Sequence, residues 1–360
     1  MSSVNAWNAA PTDLAVALSP EWLSRALSVT DAPIRVTSVR VVEELRTRAT
    51  KIRVVAGAPS AGTQDVLHLC VKGFFGMNPL PLGMARNGQA EVRYYTELSR
   101  RSRVAAPSVR YAAIDDVSGH GILIMDDVVA AGGSFLNALT PYSLKQARSS
   151  LAQLARLHVE HRDRVGEPRY SWVPDRLSGF AAAPVIPHEE LQDLLDGERG
   201  RQLPSAILDA RRLHAGLARL AASSSPLDHT VVHGDAHPGN LFVLGNTVAV
   251  ADWQLVQRNH WALDVAYHLG SSLTVTMRRD HEARLLRYYL ECVRAEGGSA
   301  PRWDVAWTQY RRHMVYGYYL WAITRFVDPA TTHELVTRLG TAVADLRSLT
   351  LLEGSGLDSA

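Results

Sequence analysis

The chain has 360 residues, 46% of them hydrophobic and 21% charged, and its 38 Lys plus Arg against 36 Asp plus Glu leave a formal net charge of +2. Such a chain can bury a large core and is long enough for two lobes, and its near-balanced charge, with basic residues scattered as in Arg100–Arg103, argues against a nucleic-acid partner. Cys70 and Cys292 stand far apart without a CxxC partner, which excludes a disulfide framework and predicts buried thiols in a reducing compartment.

At the amino terminus no basic n-region precedes an apolar run, and nowhere do 18 apolar residues follow one another, so the expectation is a cytoplasmic protein with neither leader nor membrane span. Ser19 can cap a short helix that Pro20 opens. From Ser38 the pattern turns to strands: SVRVVEEL, TKIRVVAG, and DVLHLCVKGFF with its one basic residue, Lys72. A helix by propensity, NGQAEVRYYTELSRRS, ends before Pro107, and PSVRYAAI and GILIMDD complete a sheet of about five strands with one inserted helix. The small residues and two glycines of Val128–Ser134 interrupt the sheet pattern and predict a connection between lobes.

Beyond it the chain turns helical. Thr140 and Pro141 predict the start of a long helix with Leu144, Ala147, Leu151, Leu154 and His158 on one face. Further helices are predicted over 205–223, 261–275, 279–296 and 303–326. The expected class is α+β: a small antiparallel sheet lobe over 1–127, a hinge over 128–134, and a large helical lobe over 135–360, with the site expected in a cleft between them.

The stretch VVHGDAHPGNLFVLGNTVAVADW, Val231–Trp253, concentrates the chemistry. HGDAHPGN lies between apolar runs and so forms a loop. Asp235 and Asn240 stand at the D-x-x-x-x-N spacing of a kinase catalytic loop, and Asp252 follows after a hairpin, where a metal-binding aspartate belongs. Phosphoryl transfer needs an acceptor hydroxyl held in line and magnesium at the phosphate oxygens. Asn240 and Asp252 offer hard oxygen ligands, and Asp235 can orient the hydroxyl and take its proton. Two alternatives stay open. H-x-D-x-H also suits a metallophosphoesterase, although no upstream D-x-H or later G-N-H accompanies it, and a nucleotide-binding pseudokinase scaffold would carry the same residues.

HGDAHPGN, VADWQ and WALDVAYHLGSSL together resemble the aminoglycoside phosphotransferase, choline kinase and ecdysteroid-kinase-like superfamily, over roughly Ser38–Leu273. The resemblance implies a protein-kinase-like fold and an ATP- and Mg²⁺-dependent small-molecule kinase. It implies Asp235 as catalytic base, Asn240 and Asp252 as magnesium ligands, Lys72 on the α- and β-phosphates, and Glu91 holding that lysine. It also implies an adenine contact at Met125 and Asp126, a structural His233 under the loop, and Asp264 as the anchor of the loop backbone. One departure stands out: EELRTRAT, expected over the phosphates, contains no glycine. Arg46, Thr47 and Arg48 could substitute as side-chain donors.

The acceptor is less legible. Arginine pairs at 211, 278 and 311 disfavour a strongly cationic substrate, and ARNGQAEVRYYTEL leans toward the ecdysteroid-kinase-like branch. Together they predict the hydroxyl of a neutral or lipophilic small molecule. Trp303, Trp307, Tyr310, Met314, Tyr318 and Trp321 form a helical stripe that suits the core; the resemblance implies instead an acceptor wall. His158 and His161 read as core packing or a cleft wall, rather than metal ligands, and do not extend the site.

Overall fold

The computed structural model describes residues 8–28, 33–59, 65–77 and 79–354; the first seven residues of the amino-terminal stretch lie outside them. The chain divides into two compact units, one ending at Ser134 and interrupted only by Ser102–Ala105, the other formed by those four residues and the chain from Phe135.

The first unit opens with α1 (Leu14–Ala17) and α2 (Pro20–Leu27). Ser19 caps α2 through the Trp22 N–H at 3.2 Å, and the helix buries Trp22, Leu23, Ala26 and Leu27. They pack on a sheet of β1 (Ser38–Arg46), β2 (Thr50–Gly57), β3 (Val66–Gly73), β4 (Val109–Ile114) and β5 (Gly121–Asp126), ordered β1-β2-β3-β5-β4 and antiparallel throughout. Strand alternation sends Ile52, Val54, Ala56, Leu69 and Val71 into the core shared with α2. The opposite face of β3, which carries Lys72, is thereby left to α3 (Leu82–Arg93). This helix starts five residues before the predicted Asn87 and passes into a π-helical turn over Tyr94–Leu98. β1 continues through Arg46, so the expected phosphate-covering loop narrows to a tight turn at Thr47–Ala49, closed by the Thr47 N–H on the Ala49 carbonyl at 3.2 Å.

After β6 (Ser134–Phe135), the second unit contains α4 (Leu144–His161), α5 (Arg176–Ala182), α6 (His188–Asp196), α7 (Ala210–Ala222), β7 (His229–Val232), β8 (Leu241–Leu244), β9 (Thr247–Val250), β10 (Gln257–His260), α8 (Ala262–Ser272), α9 (Val275–Ala295), α10 (Trp303–Ala322), α11 (Pro329–Asp345) and α12 (Ser348–Glu353). α4 starts at Leu144, and not at Pro141, because Ser143 and Gln146 close a capping box, each side chain accepting the other's backbone N–H. Every residue of α8 is buried, its one charged residue, Asp264, included. Tyr310, Met314, Tyr318 and Trp321 of the α10 stripe are buried, whereas Trp303 and Trp307 are half-buried, stacked face to face and capped by the Arg287 guanidinium. Both cysteines are half-buried rather than buried, with Cys70 pushed up to about 11, chiefly by desolvation.

Among the described residues, no helix is long and apolar enough to cross a membrane.

Candidate active site

In the first unit, Lys72 and Glu91 meet as a buried ion pair, with Nζ 2.7 Å from Oε2 and 2.8 Å from Oε1. Burying two charges costs several kcal/mol each, and the pair recovers this only through close, doubly bonded contact. Glu91→Ala should therefore destabilise the protein by about 3–5 kcal/mol, whereas Lys72→Met with Glu91→Leu should recover most of that loss. Urea titration of the two variants checks this.

Met125 and Asp126 close β5. The Asp126 N–H is committed to the Ser108 carbonyl at 2.9 Å and its carboxylate to Arg110. Arg46 is exposed and ion-paired with Glu44, and the Thr47 hydroxyl donates to the Ala49 carbonyl at 2.9 Å.

In the second unit β7 delivers the loop 233–240. Gly234 sits at φ 78°, and a Cβ there would lie 2.2 Å from the Leu255 carbonyl, so only glycine fits. The loop backbone is tied to α8: the Asp264 carboxylate accepts the His233 N–H at 2.7 Å and the Gly234 N–H at 2.8 Å. His158 Nε2 reaches the same carboxylate at 3.1 Å, while its Nδ1 faces the Tyr289 hydroxyl at 2.8 Å. His158 is buried, as expected of core packing, and in addition supports the loop. Burial alone would push the Asp264 carboxyl up, but His158 and the Gly234 N–H outweigh it and hold the group below the usual carboxylate range. Its contribution to stability is present at neutral pH and fades as pH falls through the lowered value. Asp264→Asn sets an amide NH₂ against one of these donors and should cost about 2–3 kcal/mol, read from a chemical denaturation midpoint.

His233 is fully buried, and both ring nitrogens are engaged: Nδ1 accepts the Asp235 N–H at 3.2 Å and Nε2 donates to the Ala251 carbonyl at 3.1 Å. It has no lone pair left for a metal, which removes the first ligand of a metallophosphoesterase reading. Among the described residues, no group of three or more His, Cys, Asp or Glu gathers in a metal-holding arrangement. On the other side of the loop His268, driven down to about 4 mainly by burial, donates from Nδ1 to the Ala236 carbonyl at 2.9 Å.

Within this frame, Asn240 Nδ2 donates to the Asp235 carbonyl and to Asp235 Oδ2, both at 2.9 Å. This turns the amide oxygen away from Asp235. The Ala251 N–H donates to the Asn240 carbonyl at 2.8 Å, which ties the end of the loop to the residue before Asp252. Asp252 itself adopts φ 66°, ψ 70°, an unusual backbone state for a residue with a side chain, of the kind that concentrates at functional sites. The carboxylate of Asp235 is held further by residues the sequence reading did not single out for it. The Tyr267 hydroxyl donates to Oδ1 at 2.9 Å, and the Trp321 indole N–H donates to that hydroxyl at 2.7 Å.

Residues 74–303, well over half of the chain, match the model of the phosphotransferase enzyme family, APH. The chain belongs to this family. Among solved structures, this phosphotransferase is similar to an ethanolamine kinase of Plasmodium vivax, at 14% identity with 87% of this chain and 83% of that one covered, TM-score 0.50. It is similar to the microcompartment-associated aminopropanol kinase at 13% identity, with 92% and 100% covered and the same TM-score of 0.50. The GDP complex of aminoglycoside 2'-phosphotransferase-IIIa aligns at 13% identity over 91% and 99%, TM-score 0.49. At such identities the likeness concerns the fold, which is protein-kinase-like: an antiparallel sheet unit followed by a helical one. No curated protein matches this phosphotransferase in sequence.

Proposed function

We propose that this phosphotransferase moves the γ-phosphoryl group of ATP to the hydroxyl of a neutral or lipophilic small molecule. The observation that carries the reading is the Asp235 carboxylate, oriented by Tyr267 and Asn240 on a loop whose backbone Asp264 anchors. Asp235 accepts the acceptor's O–H proton while that oxygen bonds to the γ-phosphorus and the bond to the β,γ-bridging oxygen breaks, leaving ADP.

Asn240 and Asp252 are assigned to magnesium. With both amide hydrogens of Asn240 directed at Asp235, its Oδ1 has no hydrogen-bond partner among the described residues, and it is a hard oxygen donor of the kind magnesium selects. Bound there, the ion supplies charge neutralisation at the phosphate oxygens. Lys72, held by Glu91, is assigned to the α- and β-phosphates, and the adenine to the end of β5 at Met125 and Asp126. Arg46 and Thr47, on the glycine-free turn, are assigned to phosphate contact through side chains. The assigned roles of His233 and Asp264 are to support the loop.

The preference for an uncharged acceptor rests on what surrounds the base. Among the described residues, the hydrogen-bond and ion-pair partners of the Asp235 carboxylate are Tyr267, Asn240 and His237, with Trp321 one contact further, and none of these is a carboxylate. On α6, which packs on α10, Glu189 and Glu190 are each paired with an arginine, Arg211 and Arg325. Asp193 and Asp196 of the same helix have no ion pair among the described residues, so it is at the partners of Asp235 that a polycation lacks a second carboxylate. Incubating the purified protein with Mg²⁺, ATP or GTP, and separate panels of lipophilic alcohols, aminoglycosides, choline and nucleosides, followed by mass detection of phosphorylated product, tests the reading. Product from the lipophilic alcohols supports it; transfer confined to the cationic panels, or to none, overturns it.

A further inference from the structure

α8 and α10 meet the base through an aromatic hydrogen-bond relay. Tyr267 is 1% exposed and Trp321 4%. The indole Nε1–H can only donate, and it donates to the tyrosine oxygen at 2.7 Å. That leaves the single phenolic proton for Asp235 Oδ1, where it is found at 2.9 Å. The direction of both bonds is therefore dictated by the donor inventory and does not depend on an assigned hydrogen position. Burial, and next the neighbouring Asp235 charge, push the Tyr267 hydroxyl well above its ordinary value, so it remains a donor across the working pH range. The ring is seated by a close fit: a Cβ on Gly317 of α10 would meet Tyr267 Cδ2 at 2.5 Å. Tyr316 packs edge-on to it at 6.0 Å, and its own hydroxyl donates to the Gly234 carbonyl at 2.9 Å.

We infer that Tyr267, aligned by Trp321, is a positioning residue for phosphoryl transfer: it fixes the rotation of the Asp235 carboxylate. With Tyr267 on Oδ1 and Asn240 on Oδ2 the plane of the carboxylate is pinned from both ends. An acceptor hydroxyl then meets an oxygen already turned toward it, and the rotational search is removed from the reacting complex. The relay also gives the α10 stripe a second role, since Trp321 acts on the base through Tyr267 while Tyr310, Met314 and Tyr318 are core.

This inference rests on the phosphotransfer reading above, and the test separates the two. Tyr267→Phe removes the hydroxyl and keeps the ring in its seat, and Trp321→Phe removes the indole donor together with part of the ring volume, a packing loss that a melting-temperature measurement reads separately. With an acceptor found in the screen, Tyr267→Phe should lower kcat about 10- to 100-fold with little change in KM for nucleotide or acceptor. Trp321→Phe should cost less, and the double variant should be no slower than Tyr267→Phe alone, because the indole acts only through the hydroxyl. A merely structural role would move melting temperature and both KM values and would give additive losses. Independently of turnover, the Trp321 indole N–H should exchange with solvent at least about tenfold faster in Tyr267→Phe than in wild type. An active wild type whose Tyr267→Phe variant keeps full kcat, or whose double variant shows additive losses, overturns this inference alone. A wild type that transfers phosphate to no acceptor overturns the phosphotransfer reading, and this inference with it.

Discussion

Asp235→Ala is expected to lower kcat by about 10²- to 10⁴-fold, the range for loss of a positioned general base, while the affinity for Mg-nucleotide stays close to wild type. The Asp235 carboxylate sits at the centre of the loop's side-chain bonds but accepts no backbone N–H. The N–H groups of His233 and Gly234 are satisfied by Asp264, and the Asp235 N–H by His233. Truncation at Cβ thus leaves the loop folded and removes only the group that accepts the proton. Asn240 loses one acceptor for its amide but keeps the Asp235 carbonyl at 2.9 Å. Steady-state kinetics paired with calorimetric titration of Mg-nucleotide check both halves, and undiminished turnover would refute the assignment of Asp235.

Asp252→Ala should fail differently. As an assigned magnesium ligand it is expected to act on the metal–nucleotide complex itself, so titration with Mg-nucleotide should show affinity weakened by about 10²- to 10³-fold, the scale of removing one preorganised electrostatic contact at a phosphoryl site. The same titration without metal should differ little between variant and wild type. Alanine tolerates φ 66° less well than aspartate, whose short polar side chain can bond locally, so this substitution adds some backbone strain to the loss of the carboxylate. Asp252→Gly relaxes that strain and should show the same loss of affinity; recovery in the glycine variant would assign the effect to the backbone instead.

The sheet unit was legible because β2 carries period-two alternation and the interior strand β5 opens on an unbroken apolar run, GILIM, buried along that run. Helix starts were harder. Thr140 and Ser143 are both acceptable caps in sequence, and only the reciprocal bond with Gln146 decides between them. Among the helices not predicted, α11 did announce itself, with Asp328 as cap, Pro329 at its first position and Leu335, Val336, Leu339 and Val343 on one face. The short α5 and α6 carry too few apolar residues to show a period. At the site, Asp235, Asn240 and Asp252 could be found because they lie within 18 residues of one another and their spacing is chemical. Tyr267 and Trp321 could not. Their bonds to Asp235 and to each other span 32 and 54 residues, and nothing in the sequence of α8 marks its one tyrosine as facing a carboxylate. His158 was hidden in the same way, its partner lying 106 residues along the chain.

Because α8 supplies both Asp264, under the loop backbone, and Tyr267, against the side chain of Asp235, the loop and the helix should open and close as a single thermodynamic body. The amide protons of His233, Gly234 and Asp235 then ought to exchange through the same rare fluctuation as those of α8. Any effector or substitution that loosens this helix, however distant, would be felt at the reacting carboxylate as a lower fraction of assembled enzyme, with the intrinsic rate of the assembled fraction unaltered.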